Sequence, residues 1–293
     1  MIAIILKTYC RPEVLQQCIQ SILEYCDLPY RIYIADDSPI NQQPLKMYEM
    51  LVREGHFVQV FEDRISVTYA RNLLVEQLQD EQYVLRIDDD FLFTKNTSLE
   101  VMIDVLNSID KIGAVSSIEK QLGDGKGVKD GELSDKQGYF FNYNRILYKV
   151  SFPVDAIDWM LTENGNRYAC LDFTRNFLLI KRSVLDKVKW REELVIQGEH
   201  SAFMLDLKRA GYLLAQTPDS VHFHDERMAK SQSYINSRRS REGINAMQTL
   251  YSNAYDLDGS KTYSIVGSFK DKDLSLVGVT KILINRLLRV FKV

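Results

Sequence analysis

Apolar and polar positions alternate with two different periods along the first 116 residues of the chain. Four short apolar runs have the length and side-chain types of buried strands, namely IAIIL, RIYIA, FVQVF and YVLRI. Between and after them, apolar residues recur at every third or fourth position, which predicts helices at about 12–26, 45–54, 67–78 and 98–109. Strands that alternate with helices indicate an α/β fold, with a mostly parallel, Rossmann-like central sheet covered by helices on both faces.

The regular alternation is interrupted after residue 116 and resumes before residue 200. The segment 119–138 is rich in glycine and charge, which predicts a loop or a hairpin. A helix is predicted from Glu199 to Gly211, and YLLAQTPDSVHFHD is typical of two short strands around a proline-containing turn. The predicted organisation is a domain at 1–225, divided into two halves at 1–116 and 117–225, followed by a C-terminal helical extension at 226–293.

The end of this extension, KILINRLLRVFKV, begins at Lys281 and ends at Val293. Its polar positions form one stripe against an apolar remainder, and it carries four basic residues and no acidic one. Two interpretations are open: an amphipathic helix that packs on the main domain, or a helix that lies at an anionic membrane surface.

Composition and charge narrow the class of protein. The chain is 45% apolar and 26% charged, which suits a globular protein with a sizeable core. Its net charge of -3 provides no basic field, which argues against nucleic acid as the main partner. The four cysteines have no metal-finger or CxxC spacing, which favours reduced thiols. Because we expect neither a leader peptide nor a spanning segment, we predict a cytoplasmic protein, free or peripheral at the inner face of the cell membrane.

Three consecutive aspartates, Asp88, Asp89 and Asp90, follow the fourth predicted strand in RIDDDFLFT. Side chains on a strand alternate sides, so Asp88 and Asp90 are expected on one side and Asp89 on the other. At an effective dielectric constant near 20, like charges about 4 Å apart repel by roughly 4 kcal/mol. A divalent cation held by the carboxylates would offset this repulsion and would also bind a diphosphate.

Two of the four histidines, His222 and His224, lie two residues apart in HFHD. On a strand both would face the same side. Imidazole is a good ligand for manganese-type ions, so the pair is a candidate metal site. The alternative is that both rings are polar side chains with hydrogen-bond partners inside the fold.

Four segments of the chain, TYCRPEVLQQCIQSI, IADDS, YARNLLVEQ and RIDDDFLFT, occur in a recognisable order and spacing. Together they resemble glycosyltransferase family 2, whose members use nucleotide sugars and have the GT-A fold. The combination of TYARNLLV with VLRIDDDFLFTKNTSLE further resembles the catalytic domain of ganglioside-type β-1,4-N-acetylgalactosaminyltransferases. The resemblance covers about residues 1–225 and is thin between 117 and 170 and beyond 225. It implies that 1–116 is a nucleotide-binding half and that 117–225 is an acceptor and catalytic half.

The resemblance implies a nucleotide pocket and a metal site. Asp37, the second aspartate of IADDS, is implied to accept a hydrogen bond from a uracil N–H, which favours a UDP-sugar as donor. A late histidine completes the metal site in many similar enzymes, which favours His224 over His222 and Mn²⁺ over Mg²⁺. The implied nucleotide-binding residues are Thr8, Tyr9, Arg11, Asp36, Asp37, Arg71, Asp88 and Asp89, and the implied metal ligands are Asp90, Asp88, His224 and His222.

The resemblance also implies a base that removes the proton of the acceptor hydroxyl. Glu199 occupies the place of the family's Glu-Asp pair at a predicted helix start, where the helix dipole favours a carboxylate. Most relatives carry Asp where this chain has His200, so Glu199 is the favoured catalytic base and His200 the alternative. Asp172, Arg175 and Asn176 fall where relatives contact the donor sugar or the acceptor.

The function implied by the resemblance is that of a metal-dependent, inverting glycosyltransferase. It would transfer a hexose or an N-acetylhexosamine from a UDP-sugar to a glycan or glycolipid acceptor, in bacterial surface polysaccharide synthesis. A sugar nucleotidyltransferase and a non-catalytic nucleotide-sugar-binding module stay open as alternatives. Nucleotidyltransferases usually carry a glycine-rich loop after the first strand, and LKTYCRP has no glycine there. Nothing in the sequence indicates an oligomeric state.

Overall fold

The computed structural model of the chain describes residues 1–123, 131–134, 136–194, 197–225, 227 and 241–264. Its helices are α1 (Pro12–Tyr25), α2 (Leu45–Arg53), α3 (Val67–Glu76), α4 (Leu99–Ser108), α5 (Arg182–Leu185), α6 (Glu199–Arg209) and α7 (Arg241–Tyr255). Its strands are β1 (Ile2–Thr8), β2 (Tyr30–Asp36), β3 (Phe57–Val60), β4 (Tyr83–Arg86), β5 (Phe91–Leu92), β6 (Ile112–Leu122), β7 (Glu132–Leu133), β8 (Gly138–Tyr143), β9 (Ile146–Ser151), β10 (Met160–Leu161), β11 (Arg167–Leu171), β12 (Leu178–Lys181), β13 (Leu213–Asp225) and β14 (Gly259–Ser264).

The central sheet has the order β10-β11-β13-β6-β12-β4-β1-β2-β3, with β5 paired to β13 and β7 paired to β6. β1 runs parallel to β2 and β4, and β2 runs parallel to β3. β12 lies antiparallel between β4 and β6, while β13 runs parallel to β6. The parallel β1–β4 half is therefore joined to a second parallel pair by one reversed strand.

Both faces of the sheet are covered, as the periodicity predicts. Ile4 and Leu6 of β1 belong to an apolar cluster that includes residues of α1, α2 and α4. Ala3 and Ile5, which alternate with them, belong to a second cluster that includes residues of α3, α5 and α6. A strand that is buried on both faces has apolar residues at consecutive positions, which explains the IAIIL segment. The predicted α/β fold class is confirmed.

The segment predicted as two short strands is one long strand, so that prediction is wrong. β13 pairs with β6 along its length, with a register shift between Thr217 and Val221. The irregularity around Pro218 is a bulge inside a continuous ladder and does not end the strand. A hairpin is present at the base of 119–138, where Lys120 pairs with Leu133. Its tip at 124–130 lies outside the described residues.

The described part of the C-terminal extension packs on the preceding residues. β14 runs parallel to β9 in a second sheet of order β14-β9-β8. Tyr251 and Leu257 are buried in the same apolar cluster as residues of α6. Gly198, with φ +79°, precedes α6, and a Cβ added there would lie 2.7 Å from Met247 Cγ of α7. This position requires glycine for both its conformation and its close contact.

The predicted amphipathic helix at 281–293 lies outside the described residues. Among the helices that the structure describes, none has the length and the apolar composition needed to cross a bilayer.

Candidate active site

A cavity of about 380 Å³ opens at the carboxyl ends of β1 and β4, which is the edge where sheets of this kind bind ligands. The predicted site residues that line it are Thr8, Tyr9, Arg11, Arg71, Asp88, Asp89, Asp90, Glu199, His200 and His224. Arg175 and Asn176 also line it. Asp36, Asp37 and His222 do not.

The aspartate triplet does not alternate as a strand would. β4 ends at Arg86, and the amide of Phe91 donates to the carbonyl of Asp88 at 3.2 Å. The expectation that Asp88 and Asp90 point the same way is wrong, because the chain has already entered a tight turn. Asp89 and Asp90 share one arginine, while Asp88 meets two different arginines.

Arg11 offsets the charges of Asp89 and Asp90. Its Nη1 lies 2.9 Å from Asp90 Oδ2, and its Nη2 donates to Asp89 Oδ1. Thr8 Oγ1 donates to Asp89 Oδ2 at 2.7 Å. Burial raises the pKa of Asp89 to about 6 even though Arg11 opposes that rise. The repulsion that the sequence predicts is therefore reduced here by a guanidinium group.

His224 lies beside Asp90 and a carboxylate that the sequence analysis missed. Its Nε2 is 3.6 Å from Asp90 Oδ2, and its Nδ1 is 3.6 Å from Glu119 Oε1. Burial opposes protonation, but hydrogen bonding to Asp90 and Glu119 raises the pKa of His224 to about 10. Glu119 also lies 3.0 Å from Arg175 Nε. The signal for Glu119 was an acidic residue at the end of the apolar strand pattern IGAVSSIE.

His222 is part of the wall behind the cavity. Its ring is fully buried and stacks on Phe177, with 4.4 Å between the ring centroids. Nδ1 lies 2.7 Å from Ser117 Oγ, and Nε2 lies 3.7 Å from Glu119 Oε2. Both histidines approach Glu119 and so face the same side of β13, as their spacing predicts. Of the two, His224 alone lines the cavity.

A second charged cluster surrounds Asp88. Arg86 Nη2 and Arg71 Nη2 lie 3.0 and 3.3 Å from Asp88 Oδ1. The same arginines approach Glu199, with Arg71 Nη1 at 2.7 Å from Oε2 and Arg86 Nη2 at 3.5 Å from Oε1. Desolvation opposes ionisation of Asp88, yet Arg86 and Arg71 hold its pKa well below the usual range. Arg86, which sequence analysis missed, interrupts the apolar run YVLRI.

His200 completes this second cluster. Its Nδ1 lies 2.8 Å from Glu199 Oε1, and its Nε2 lies 2.5 Å from Asn176 Nδ2. Asn176 Nδ2 also donates to Asp88 Oδ2 at 3.2 Å. Glu199 and His200 are the first residues of α6, so the start of that helix places both of them at the cavity.

Asp36 has a structural position. Its Oδ2 accepts from Tyr48 Oη at 2.6 Å, and its Oδ1 accepts from the Ser38 amide at 2.8 Å. These bonds tie the end of β2 to α2 and to the following turn. The prediction that Asp36 contacts the nucleotide has no support in this geometry.

Asp37 is held close to the cavity without lining it. Its Oδ1 lies 2.6 Å from Lys7 Nζ, and its Oδ2 accepts from the Ile65 amide at 2.9 Å. Arg64 Nε lies 3.4 Å from Oδ2, and the Arg64 guanidinium lies 3.3 Å from the centre of the Tyr9 ring. Lys7, Tyr9 and Arg64 all line the cavity. Contact of Asp37 with uracil stays a prediction.

Asn72 and Asp172 are framework residues. Asn72 Nδ2 donates to the Trp190 carbonyl at 2.9 Å, and Asn72 Oδ1 accepts from the Trp190 amide at 3.0 Å. Asp172 accepts from Lys208 Nζ at 2.5 Å and from the Phe140 amide at 2.9 Å. Neither lines the cavity, so within YARN it is Arg71 that faces the site.

The sequence is similar to curated N-acetylgalactosaminyltransferases over part of its length. It is 34% identical over 119 residues to β-1,4 N-acetylgalactosaminyltransferase 2 of Mus musculus, and the match covers 39% of this chain and 21% of that protein. It is 34% identical over 153 residues to β-1,4 N-acetylgalactosaminyltransferase 1 of Mus musculus, and the match covers 50% of this chain and 23% of that protein. The chain thus covers less than a quarter of the length of these two relatives.

Solved structures share the fold. The crystal structure of GalNAc-T7 with UDP, GalNAc and Mn²⁺ has a TM-score of 0.62 and 14% identity, and the match covers 87% of this chain and 49% of that one. The crystal structure of S. aureus TarS 1–349 in complex with UDP-GlcNAc has a TM-score of 0.55 and 16% identity, and the match covers 85% of this chain and 65% of that one. At such identities the likeness concerns the fold, and it confirms the predicted GT-A architecture.

A family profile covers the part of the chain that builds most of the site. The profile described as Glycosyl transferase family 2 matches residues 3–164, which is more than half of the chain. The matched region contains Arg11, Arg71 and the aspartate triplet, and ends before Glu199 and His224. The chain therefore belongs to glycosyltransferase family 2, as the resemblance of its motifs implied.

Proposed function

We propose that the chain is a metal-dependent, inverting glycosyltransferase that transfers an N-acetylhexosamine or a hexose from a UDP-sugar to a glycan or glycolipid acceptor. One observation carries the proposal: a single cavity brings together the Asp90–His224 pair, a set of cationic side chains and the Glu199–His200 pair. These are the groups needed to hold a metal and a diphosphate on one side and to accept a proton on the other.

The charge of the cavity supports a diphosphate ligand. Although the chain carries a net charge of -3, many of the side chains that line the cavity are cationic. They are Lys7, Arg11, Arg64, Arg71, Lys136 and Arg175. Guanidinium groups match phosphate oxygens with paired hydrogen bonds and stay charged at every physiological pH.

The Tyr9 ring supports binding of a nucleobase. Arg64 stacks on this ring at 3.3 Å, which shows that one face admits a flat group. Nucleobases stack on aromatic rings in a similar way. The solved relatives with UDP and with UDP-GlcNAc support uridine as the base. Asp37, behind Lys7 and Arg64, is the proposed acceptor for the uracil N–H once those cations move to the phosphates.

The residues present fit a divalent cation. A carboxylate oxygen of Asp90 and an imidazole nitrogen of His224 face each other at 3.6 Å, and both ligand types suit Mn²⁺. Among the described residues, no group of three or more His, Cys, Asp or Glu side chains is placed to hold a metal alone. Ions of this kind are commonly bound by one or two protein side chains together with substrate phosphates. When bound, the metal would neutralise charge on the departing diphosphate.

Arg11 competes with a metal for Asp90. Its Nη1 is 2.9 Å from the same Oδ2 atom that faces His224. Because Arg11 also binds Asp89, it keeps one carboxylate when Asp90 is taken by a cation. We propose that Asp90 and His224 hold the metal, whereas Asp88, between Arg71 and Arg86, and the buried His222 support the site from behind.

A role in bacterial surface polysaccharide synthesis, in the cytoplasm or at the inner face of the membrane, is part of the proposal. It carries forward the expectation drawn from the sequence. The membrane contact would be made by residues 281–293, which lie outside the described residues.

A donor panel tests the proposed function. UDP release would be measured with UDP-GlcNAc, UDP-GalNAc, UDP-glucose and UDP-galactose, each with Mn²⁺, Mg²⁺ or EDTA, and UDP binding would be measured by calorimetry. We expect UDP to bind with metal, one donor to be turned over, and Mn²⁺ to support the highest rate. Binding of UDP without release from any donor would identify a binding module, and absence of UDP binding would contradict the proposal.

A further inference from the structure

The two side chains that begin α6 differ in what they can reach. Glu199 is only 3% exposed, and both of its carboxylate oxygens have partners. Oε2 lies 2.7 Å from Arg71 Nη1, and Oε1 lies 2.8 Å from His200 Nδ1 and 3.5 Å from Arg86 Nη2. A carboxylate held in this way meets an acceptor hydroxyl only after a buried ion pair is broken, which is costly.

The surroundings of Glu199 also make it a weak base. Burial opposes its ionisation, but Arg71, His200 and Arg86 together lower the pKa of Glu199 to about 2. A general base is most effective when its pKa lies near the working pH. The residue that the sequence favours as the base is therefore poorly suited to that role.

His200 presents the acceptor nitrogen of its ring to the cavity. Its side chain is 37% exposed, and it lines the cavity. A carboxylate can only accept, so the Nδ1 atom that faces Glu199 carries the proton and Nε2 carries the lone pair. Asn176 Nδ2, a donor, lies 2.5 Å from Nε2, as that tautomer requires. An acceptor hydroxyl is also a donor and would take the place of this amide, which keeps its bond to Asp88.

We propose that Nε2 of His200 accepts the proton of the acceptor hydroxyl, and that Glu199 is a positioning residue that orients the ring and stabilises the imidazolium. The inference rests on the proposed function and exchanges the roles that the sequence favours. In the step, the acceptor oxygen bonds to the anomeric carbon of the donor sugar. The bond from that carbon to the diphosphate oxygen breaks, its electron pair leaves with UDP, and the hydroxyl proton moves to Nε2 and later to solvent.

Desolvation keeps the His200 ring neutral before the step, although two carboxylates lie close to it. Glu199 faces it from α6, Arg86 from the end of β4 and Asp88 from the turn after β4, with Arg71 of α3 on the far side of Glu199. Desolvation, together with Arg86, lowers the pKa of His200 from 6.5, although Glu199 and Asp88 act to raise it. The ring is therefore uncharged at neutral pH and able to take up a proton.

The first test reads the ring directly in the wild-type protein. Nitrogen NMR of the histidine rings distinguishes the two tautomers and the charged form, and the signal that disappears in His200→Gln identifies His200. We expect a proton on Nδ1 and none on Nε2 at neutral pH. A proton on Nε2 at that pH, in either the neutral or the charged ring, would overturn the inference.

The second test follows UDP release from the best donor of the panel, with water as the acceptor. His200→Gln should lower kcat by about 10²–10⁴-fold, the usual contribution of a general base, without changing the Kd for UDP. His200→Asp, which recreates the family's Glu-Asp pair, should recover part of the rate and move the acidic limb of the pH–rate profile to lower pH, because carboxyl groups titrate below imidazole. The matched control is His56→Gln, since His56 stacks on Tyr30 and does not line the cavity.

The outcomes separate this inference from the proposed function. A His200→Gln protein that releases UDP at nearly the wild-type rate would return the base role to Glu199 or to water while the proposed function stands. A wild-type protein that binds no UDP would overturn the proposed function together with the inference.

Discussion

Two histidines that line the same cavity each face a glutamate, and they differ in their protonation. His224 faces Glu119 beside Asp90, and His200 faces Glu199 beside Asp88. The pKa of His224 is raised to about 10, whereas that of His200 is lowered from 6.5. The same pair of residue types therefore yields a cation at His224 and a neutral ring at His200. A metal that binds His224 would have to displace its proton, so metal binding there should release a proton.

The difference follows from the charges that each glutamate already meets. Glu199 lies between Arg71 and Arg86, so its negative charge is largely offset before His200 approaches. His224 faces two carboxylates, Asp90 and Glu119, and both favour its protonated form. Desolvation lowers the pKa of both histidines, and the carboxylates and arginines around each ring decide whether that lowering is overcome. A nearby glutamate alone does not decide whether the pKa is raised or lowered.

The largest expected effect is loss of metal-dependent nucleotide binding in Asp90→Asn. Asp90 is the proposed metal ligand on the His224 side, and an amide is a weaker ligand for a hard cation than a carboxylate. The Kd for UDP measured with Mn²⁺ should rise to the value measured with EDTA. Asp80→Asn is the control, because the Asp80 side chain is 75% exposed. Binding equal to wild type in a folded Asp90→Asn protein would contradict the metal assignment.

The next effect is on stability, in Glu199→Gln. Removing this carboxylate leaves Arg71 and Arg86 buried with Asp88 as their remaining carboxylate partner. Breaking a buried pair in this way typically costs about 3–5 kcal/mol of unfolding free energy, measured by denaturant titration. Asp258→Asn, which removes a partner of the exposed Arg145, should cause no measurable change. A Glu199→Gln protein as stable as the wild type would show that the two arginines do not depend on Glu199.

A smaller effect is expected for Glu119→Gln. Glu119 holds His224 from behind, in the manner of the outer partners of metal ligands, whose loss typically lowers metal affinity by about 10–100-fold. Titration of the protein with Mn²⁺ in the presence of UDP measures this change. Glu163→Gln, at an exposed position, is the control. An unchanged Mn²⁺ affinity in Glu119→Gln would contradict the proposal that Glu119 supports His224 as a metal ligand.

The smallest expected effect is a change in the pH dependence of stability. Because the folded-state pKa of His200 is lowered from 6.5, the unfolded chain takes up the proton first. His200 therefore contributes stability that is present above pH 6.5 and is lost as pH falls, by at most about 1.4 kcal/mol per pH unit. His200→Gln should flatten the slope below pH 6.5.

The difference in pH slope between the wild-type protein and His200→Gln isolates the contribution of His200 from that of other titratable groups. Asp89, with a pKa raised to about 6, acts in the opposite sense and is common to both proteins. His224, with its raised pKa, also acts in the opposite sense until the pH is well below 6.5, and its contribution is common to both proteins. Identical slopes for the two proteins would contradict a neutral His200.

The spacing of apolar residues predicted the secondary-structure elements that depend mainly on residues near in sequence. The first four strands and the first four helices were predicted closely because each has its own periodicity. The prediction failed at β13, where a long ladder with β6 carries the chain through Pro218. Tertiary pairing overrides the local turn signal there.

The residues of the site were predicted better than their contacts. Asp88, Asp89 and Asp90 all line the cavity, but strand alternation assigned their directions wrongly because β4 ends before them. Arg86 and Glu119 were missed because a charged residue in a strand gives no sign of its partner. Glu119 meets residues more than fifty positions away, so its role depends on the three-dimensional arrangement.

A crystal structure of the protein with UDP and Mn²⁺ tests the central claim most directly. We predict the diphosphate in the cavity, the metal between it and the side chains of Asp90 and His224, and His200 facing the open space beside the phosphates. Nucleotide density elsewhere on the molecule, with Asp90 still bound to Arg11 and no metal beside it, would contradict the account.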